Sequence, residues 1–195
     1  MAALSACPLP AAADQALANQ ALAGKALALR ANIWSRPPEG GFTPPGHCPD
    51  LARRQTLYRV CDDQRAIFDT AMAQARRDGK LVLVTFGSTW CPSCRSFSTQ
   101  LEQSAGSMAS VTNRFTRVEI AISTLSDGRR VPVPTGEEVL QRVLAATPGA
   151  TLRGVPFIAV IDPNDATRGF ARNLDDVEVA SGGAFDIERV AAILA

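Results

Sequence analysis

An α/β domain, built on a central sheet with helices on both faces, is what this sequence predicts, and three observations carry the prediction. Short continuous apolar runs rich in β-branched residues, Leu81-Val82-Leu83-Val84-Thr85-Phe86 being the clearest, alternate with segments whose apolar residues recur at helical spacing. The last two strand-like runs are joined by a short segment, which fits an antiparallel hairpin at the sheet edge. The chain has 195 residues, 46% of them hydrophobic and 20% charged, enough for one domain with a buried core and an appendage.

The appendage comes first. Ala16-Leu17-Ala18-Asn19-Gln20 opens a five-residue repeat continued by Ala21 to Lys25 and Ala26 to Arg30, made of strong helix formers. A period of five advances about 140° per repeat around a helix, so Leu17, Leu22 and Leu27 spread over all sides and form no single apolar stripe. The segment reads as a helical spacer or tail. Arg36 to Asp50 then carries five prolines and three glycines, which excludes regular structure and marks a Pro/Gly-rich wrap. Residues 1–61 are therefore expected as an N-terminal extension and 62–195 as the folded domain.

Within that domain, Asp62-Asp63 offers an N-cap, Ile67, Phe68, Ala71, Met72 and Ala75 follow at helical spacing, and Gly79 provides a stop. The strand Leu81 to Phe86 leads into Trp90-Cys91-Pro92-Ser93-Cys94, after which Phe97 and Leu101 continue a stripe from Cys94 on a helix reaching about Ala105. A strand at Phe115 to Ile122, a helix at Gly136 to Ala146, a strand at Pro156 to Asp162, a weaker strand at Val177 to Ala180 and a helix at Phe185 to Leu194 complete the order.

Composition removes several function classes. Twenty basic and 19 acidic residues give a net charge of +1 and no electrostatic footprint for nucleic acid, and no run of 18 apolar residues is present to span a bilayer. The single histidine, His47, falls in the Pro/Gly-rich stretch, away from any patterned element. No Gly-rich phosphate cradle, paired-carboxylate motif or serine nucleophile elbow is visible. What stands out is five cysteines, at 7, 48, 61, 91 and 94.

Pro92 suits the first position of a helix, which makes Cys91 the N-cap, with free backbone N–H groups and the positive end of the helix dipole facing its sulfur. A thiolate is favoured there, and a thiolate attacks disulfides, so Cys91 is the expected nucleophile. Cys94 lies three residues on along the same face, within bridging reach and deeper, as a resolving thiol requires. Two alternatives stand beside this redox reading. The pair is also half of a structural zinc site, with His47, Cys48 and Cys61 as remaining ligand candidates. A purely structural 91–94 bridge closes too small a loop to stabilise much.

Strand Leu81 to Phe86, Trp90-Cys91-Pro92-Ser93-Cys94 opening a helix, and Arg153-Gly154-Val155-Pro156 opening a later strand together resemble the thioredoxin family, over roughly Asp62 to Ala195. The resemblance implies a thioredoxin-like fold with a central mixed sheet. It also implies a cis Val155–Pro156 bond beside the two sulfurs, whose preceding backbone would hydrogen-bond a substrate polypeptide, and a Trp90 ring in contact with substrate. Helix Asp62 to Asp78 and the run Lys80 to Cys91 are further similar to bacterial envelope thioredoxin-like proteins, some of them lipoproteins. Two departures matter: Pro92-Ser93 replaces the Gly-Pro that thioredoxins carry between the cysteines, and Thr85 replaces their buried Asp six residues before the first. Without that carboxylate, deprotonation of Cys94 needs another group, which the sequence does not identify.

Cys48 and Cys61, with twelve residues between them, are candidates for a structural disulfide pinning the wrap to the domain. Leu4-Ser5-Ala6-Cys7 resembles a bacterial lipobox with Cys7 as the lipidated residue, although Met1-Ala2-Ala3 supplies no secretory leader. One anchor, one staple and one redox pair suit an oxidising compartment such as the bacterial envelope or periplasm. Arg95, Arg129, Arg130 and Arg153 receive no role. The expectation is thus a monomeric thiol–disulfide oxidoreductase with no cofactor beyond its own redox disulfide and no bound metal. It would act on cysteine-containing proteins, be recycled by a thiol–disulfide partner, and meet the membrane only through a lipid anchor. Rival expectations are a Cu(I)- or zinc-binding metallochaperone using the same cysteines, and a non-catalytic interaction protein.

Overall fold

The computed structural model describes Trp34 and residues 41–44, 57–103, 108–180 and 184–195. Its helices are α1 (Gln64–Asp78), α2 (Pro92–Gln103), α3 (Ala109–Thr112), α4 (Pro134–Ala146) and α5 (Ile187–Leu194). Its strands are β1 (Leu81–Ser88), β2 (Phe115–Ser126), β3 (Arg129–Pro132), β4 (Phe157–Asp162), β5 (Asp165–Asn173), β6 (Glu178–Ala180) and β7 (Ala184–Phe185). The main sheet has the order β3-β2-β1-β4-β5, with β1 parallel to β2 and every other pairing antiparallel. This is the mixed sheet expected, with helices on both faces.

Helix α1 starts where its N-cap can be satisfied. Asp63 Oδ1 accepts the Arg65 N–H at 3.0 Å, and the buried Arg65 guanidinium donates back to both Asp63 oxygens and to Glu138. The Arg65 hydrogen bond holds the Asp63 carboxyl below its usual range. Gly79 ends the helix at φ 63°, a conformation a side chain resists. The buried side of α1, Phe68, Ala71, Met72 and Ala75, packs with Val139, Leu140 and Val143 of α4 onto Val82, Val84 and Phe86 of β1. Trp34 joins this layer, its ring 5.8 Å from that of Phe68. On the opposite face Phe97 and Leu101 of α2 pack with Val190 and Leu194 of α5 over Leu83, Ile158 and Val160. Phe68 and Phe97 are completely buried, each contributing about 1.5–3 kcal/mol by leaving water.

The edges differ from expectation. The outer antiparallel partner of β4 is β5, a strand the sequence reading missed, whereas the predicted Val177 to Ala180 strand lies outside the main sheet as β6, paired only with β7. β5 reads Asp-Ala-Thr-Arg-Gly-Phe-Ala-Arg-Asn and is half-exposed along most of its length, so its apolar signal is thin. The short β3 was missed for the same reason. It follows Asp127-Gly128, both at positive φ, in a hairpin with β2.

Candidate active site

Cys91 and Cys94 are joined by a disulfide, with sulfurs 2.04 Å apart. β1 delivers the pair: it ends at Ser88, whose carbonyl accepts the Cys91 N–H at 3.1 Å, and Pro92 begins α2 directly afterwards. The turn between is tied to β2 by Ser88 Oγ to Ser123 Oγ at 2.6 Å and Thr89 Oγ1 to Thr124 Oγ1 at 3.0 Å. As expected for an N-cap, Cys91 Sγ accepts a backbone hydrogen bond, from the Cys94 N–H at 3.0 Å. That bond and the helix end favour a negative sulfur at position 91 and none at position 94. Cys94, Phe97 and Leu101 form the buried stripe predicted, with Cys94 fully buried.

The Val155–Pro156 bond is cis, as the resemblance implies, and the Val155 carbonyl oxygen lies 3.7 Å from Cys91 Sγ. Asn173 builds the loop that carries Val155. Its Oδ1 accepts from the N–H groups of Arg153 (2.9 Å) and Gly154 (3.2 Å), and its Nδ2 donates to the Thr151 carbonyl at 2.8 Å. Replacing Asn173 with Ala strands those backbone groups and is expected to cost about 2–3 kcal/mol, while also slowing disulfide exchange. Denaturant unfolding alongside an exchange assay checks this, and stability unchanged from wild type would remove the loop-holding role.

Trp90 is half-buried, and the Arg130 guanidinium lies over its ring, 3.8 Å from the centroid. Arg130 was left without a role because β3, which carries it, was not foreseen. Ser93 Oγ donates to Glu178 Oε1 at 3.0 Å, which fastens β6 to the start of α2.

The extension contributes directly. Tyr58 and Val60 are buried in one cluster with Cys91, Cys94, Ala121 and Val133, against which Leu57, Cys61, Trp90 and Val155 pack. Only 3% of Cys91 is exposed, and this cover is part of what closes over it. Gln64 fastens the cover: fully buried, it donates to the carbonyls of Arg59 (2.7 Å) and Asp62 (3.0 Å) and accepts the Ala121 N–H at 2.9 Å. Sequence reasoning missed Tyr58 and Gln64, and the only signal for the former was a lone tyrosine in the chain. Burial pushes the Tyr58 phenol far above its usual range, and the Glu119 carboxylate adds to that. Cys61 is itself disulfide-bonded. Cys7, His47 and Cys48 lie outside the described residues, and the expected Cys48–Cys61 pairing with them. Among the described residues no group of three or more His, Cys, Asp or Glu is arranged to hold a metal ion, and no helix is long and apolar enough to cross a membrane.

No curated protein matches the chain at a significant level. Among solved structures it is similar to a disulphide isomerase from Xylella fastidiosa Temecula1, with 20% identity and a TM-score of 0.40 over 57% of this chain and 72% of that one. The family model of the thioredoxin-like domain matches residues 68–171, just over half of the chain, and spans β1, the cysteine pair, the cis-proline and most of β5. The chain belongs to the thioredoxin-like domain family.

Proposed function

We propose that this chain is a thiol–disulfide oxidoreductase that exchanges disulfides with cysteine-containing proteins. The observation that carries the reading is the Cys91–Cys94 disulfide at the start of α2, in which Cys91 Sγ accepts the Cys94 backbone N–H. In the reducing direction the Cys91 thiolate attacks one sulfur of a substrate disulfide, forming a mixed disulfide and releasing the other sulfur as a thiolate. The Cys94 thiol then loses its proton, and its sulfur attacks Cys91 Sγ and expels the second substrate sulfur. The Cys91–Cys94 bond forms as two electrons leave for the substrate. Run backwards, the same steps donate a disulfide.

Trp90, Val155 and Pro156 border Cys91 and are the proposed contacts for substrate backbone, the Val155 peptide supplying strand-like hydrogen bonds. A separate thiol–disulfide partner would return the pair to its working redox state, and the chain would act as a monomer. An envelope location, with Cys7 lipidated, is the setting in which these cysteines would be used.

Cys94→Ala is expected to trap the mixed disulfide on Cys91, visible as a larger species on non-reducing gels that vanishes with reductant, and Cys91→Ala to trap none. If neither variant captured a disulfide-bearing protein, the assignment of attacker and resolver would fall.

A further inference from the structure

Resolution requires a proton to leave Cys94, which is fully buried, and the thioredoxin carboxylate expected beneath it is absent because Thr85 occupies that place. The neighbouring strand supplies another. In the parallel β1–β2 pairing Thr85 stands opposite Glu119, and Gly87 opposite Ala121. Alternation places Arg117, Glu119 and Ala121 on one face of β2. Ala121 belongs to the buried cluster of Cys91 and Cys94, while the Arg117 guanidinium donates to Ser98 Oγ at 3.3 Å, one turn beyond Cys94. Glu119 stands between these two contacts and so lies under the Cys94–Ser98 turn of α2. On the sheet surface beneath α2, β1 presents Leu81, Leu83, Thr85 and Gly87, and β4 presents Ile158 and Val160. Of the carboxylates near this surface, Asp162 sits at the far end of β4 and Glu178 is engaged by Ser93 Oγ at the start of α2, which leaves Glu119 on β2.

We propose that Glu119 is the proton acceptor for Cys94, replacing from β2 the carboxylate that β1 lacks, an inference that rests on the oxidoreductase reading above. In the reducing direction the Cys94 thiol gives its proton to the Glu119 carboxylate. The Cys94 sulfur attacks Cys91 Sγ, the Cys91–substrate bond breaks, the substrate leaves as a thiolate, and Glu119 returns the proton to solvent. In the opposite direction protonated Glu119 supplies the proton that Cys94 takes as it leaves Cys91.

The charged and titratable groups facing Glu119 are Arg117 on its own strand, 3.3 Å away, Glu102 from α2, and Tyr58 from the covering segment. Burial raises the Glu119 carboxyl above its usual range, Arg117 opposes this and Glu102 adds to it, which moves its titration toward that of a thiol. Tyr58, raised further still, stays protonated and supplies no base.

The reduced full chain mixed with the disulfide of thionitrobenzoate tests this. The first coloured thiolate reports attack by Cys91 and the second reports resolution by Cys94, with Cys94→Ala subtracting release by other thiols. Glu119→Gln is expected to slow the second release by roughly 100-fold at neutral pH, leave the first within about twofold, and replace a levelling pH profile by one that climbs with hydroxide. Glu119→Asp is expected to restore part of the rate. Folding of the Gln variant is read separately by thermal unfolding. A carboxyl whose folded pKa is raised stabilises only below its unfolded value and loses that contribution as pH rises through the folded one, so the Gln variant should gain on wild type from acid to neutral pH. An unchanged second release with an unchanged pH profile overturns the role of Glu119. Absence of a second release in wild type overturns the oxidoreductase reading instead.

Discussion

Replacing Gln64 with Ala is expected to destabilise the protein by about 3–5 kcal/mol and to expose the redox disulfide to reductant. The size follows from what the side chain satisfies. Its amide donates to the half-buried Arg59 and Asp62 carbonyls and accepts the Ala121 N–H where water does not reach. The Ala121 N–H lies where β1–β2 pairing slips by one residue after Gly87, so truncation leaves it buried without a partner. The same truncation frees the turn at 59–62 and, with it, Tyr58 and Val60 over Cys91 and Cys94. Gln64→Glu is a sharper probe. At neutral pH a carboxylate still accepts from Ala121 but faces two carbonyl oxygens with no hydrogen to give, whereas its acid form donates one, so this variant should recover toward low pH. Urea unfolding and the rate of disulfide reduction by a small thiol measure both effects. A loss below about 1 kcal/mol for Gln64→Ala would mean the cover is held by other contacts.

The parts of this molecule that depend on neighbours in sequence were legible, and those that depend on neighbours in space were not. Helix α1 announced itself through Asp63, an apolar stripe and Gly79, and the Cys91–Cys94 site through a motif whose helix start and spacing are local. Glu119 and Arg117 alternate with Val118 and Ile120, the pattern of a strand with one wet face. Only the packing of α2 reveals that the polar face is covered. Arg130 reaches Trp90 from a strand of four residues that ends in proline, too short and polar for periodicity to detect, although Asp127-Gly128 is a hairpin signal that was available. β5 was lost to the assumption that the next apolar run, at Val177, had to be the sheet edge. Tyr58 and Gln64 fall on either side of the boundary drawn at residue 62, and their importance comes from segments that meet at β2.

Gly87→Ala is expected to expel Tyr58 from the site, and its cost is expected to disappear when Tyr58 is already gone. A methyl group built at Gly87 falls 2.1 Å from Tyr58 Oη and 2.3 Å from Cζ, distances no relaxation of a rigid ring can absorb in place. Tyr58 is 2% exposed, so the ring must leave a closed compartment, and Gly87→Ala alone should cost about 3–5 kcal/mol, in the range for deleting a buried aromatic side chain. Tyr58→Ala should cost somewhat less than a phenylalanine of equal burial, because its hydroxyl is buried without a hydrogen-bond partner. In the Tyr58→Ala background Gly87→Ala is expected to change stability by less than about 1 kcal/mol, since the space is empty and alanine suits a strand better than glycine. The double-mutant cycle therefore returns a large coupling, and strictly additive costs would show that Gly87 and Tyr58 do not meet. Each single variant also removes a wall of the cluster that leaves Cys91 only 3% exposed, so both should speed reduction of the Cys91–Cys94 disulfide by a small thiol. If reduction were no faster in either variant, the limit on access would lie with Trp90 and Val155, on the side of the sulfur where the substrate chain is proposed to bind.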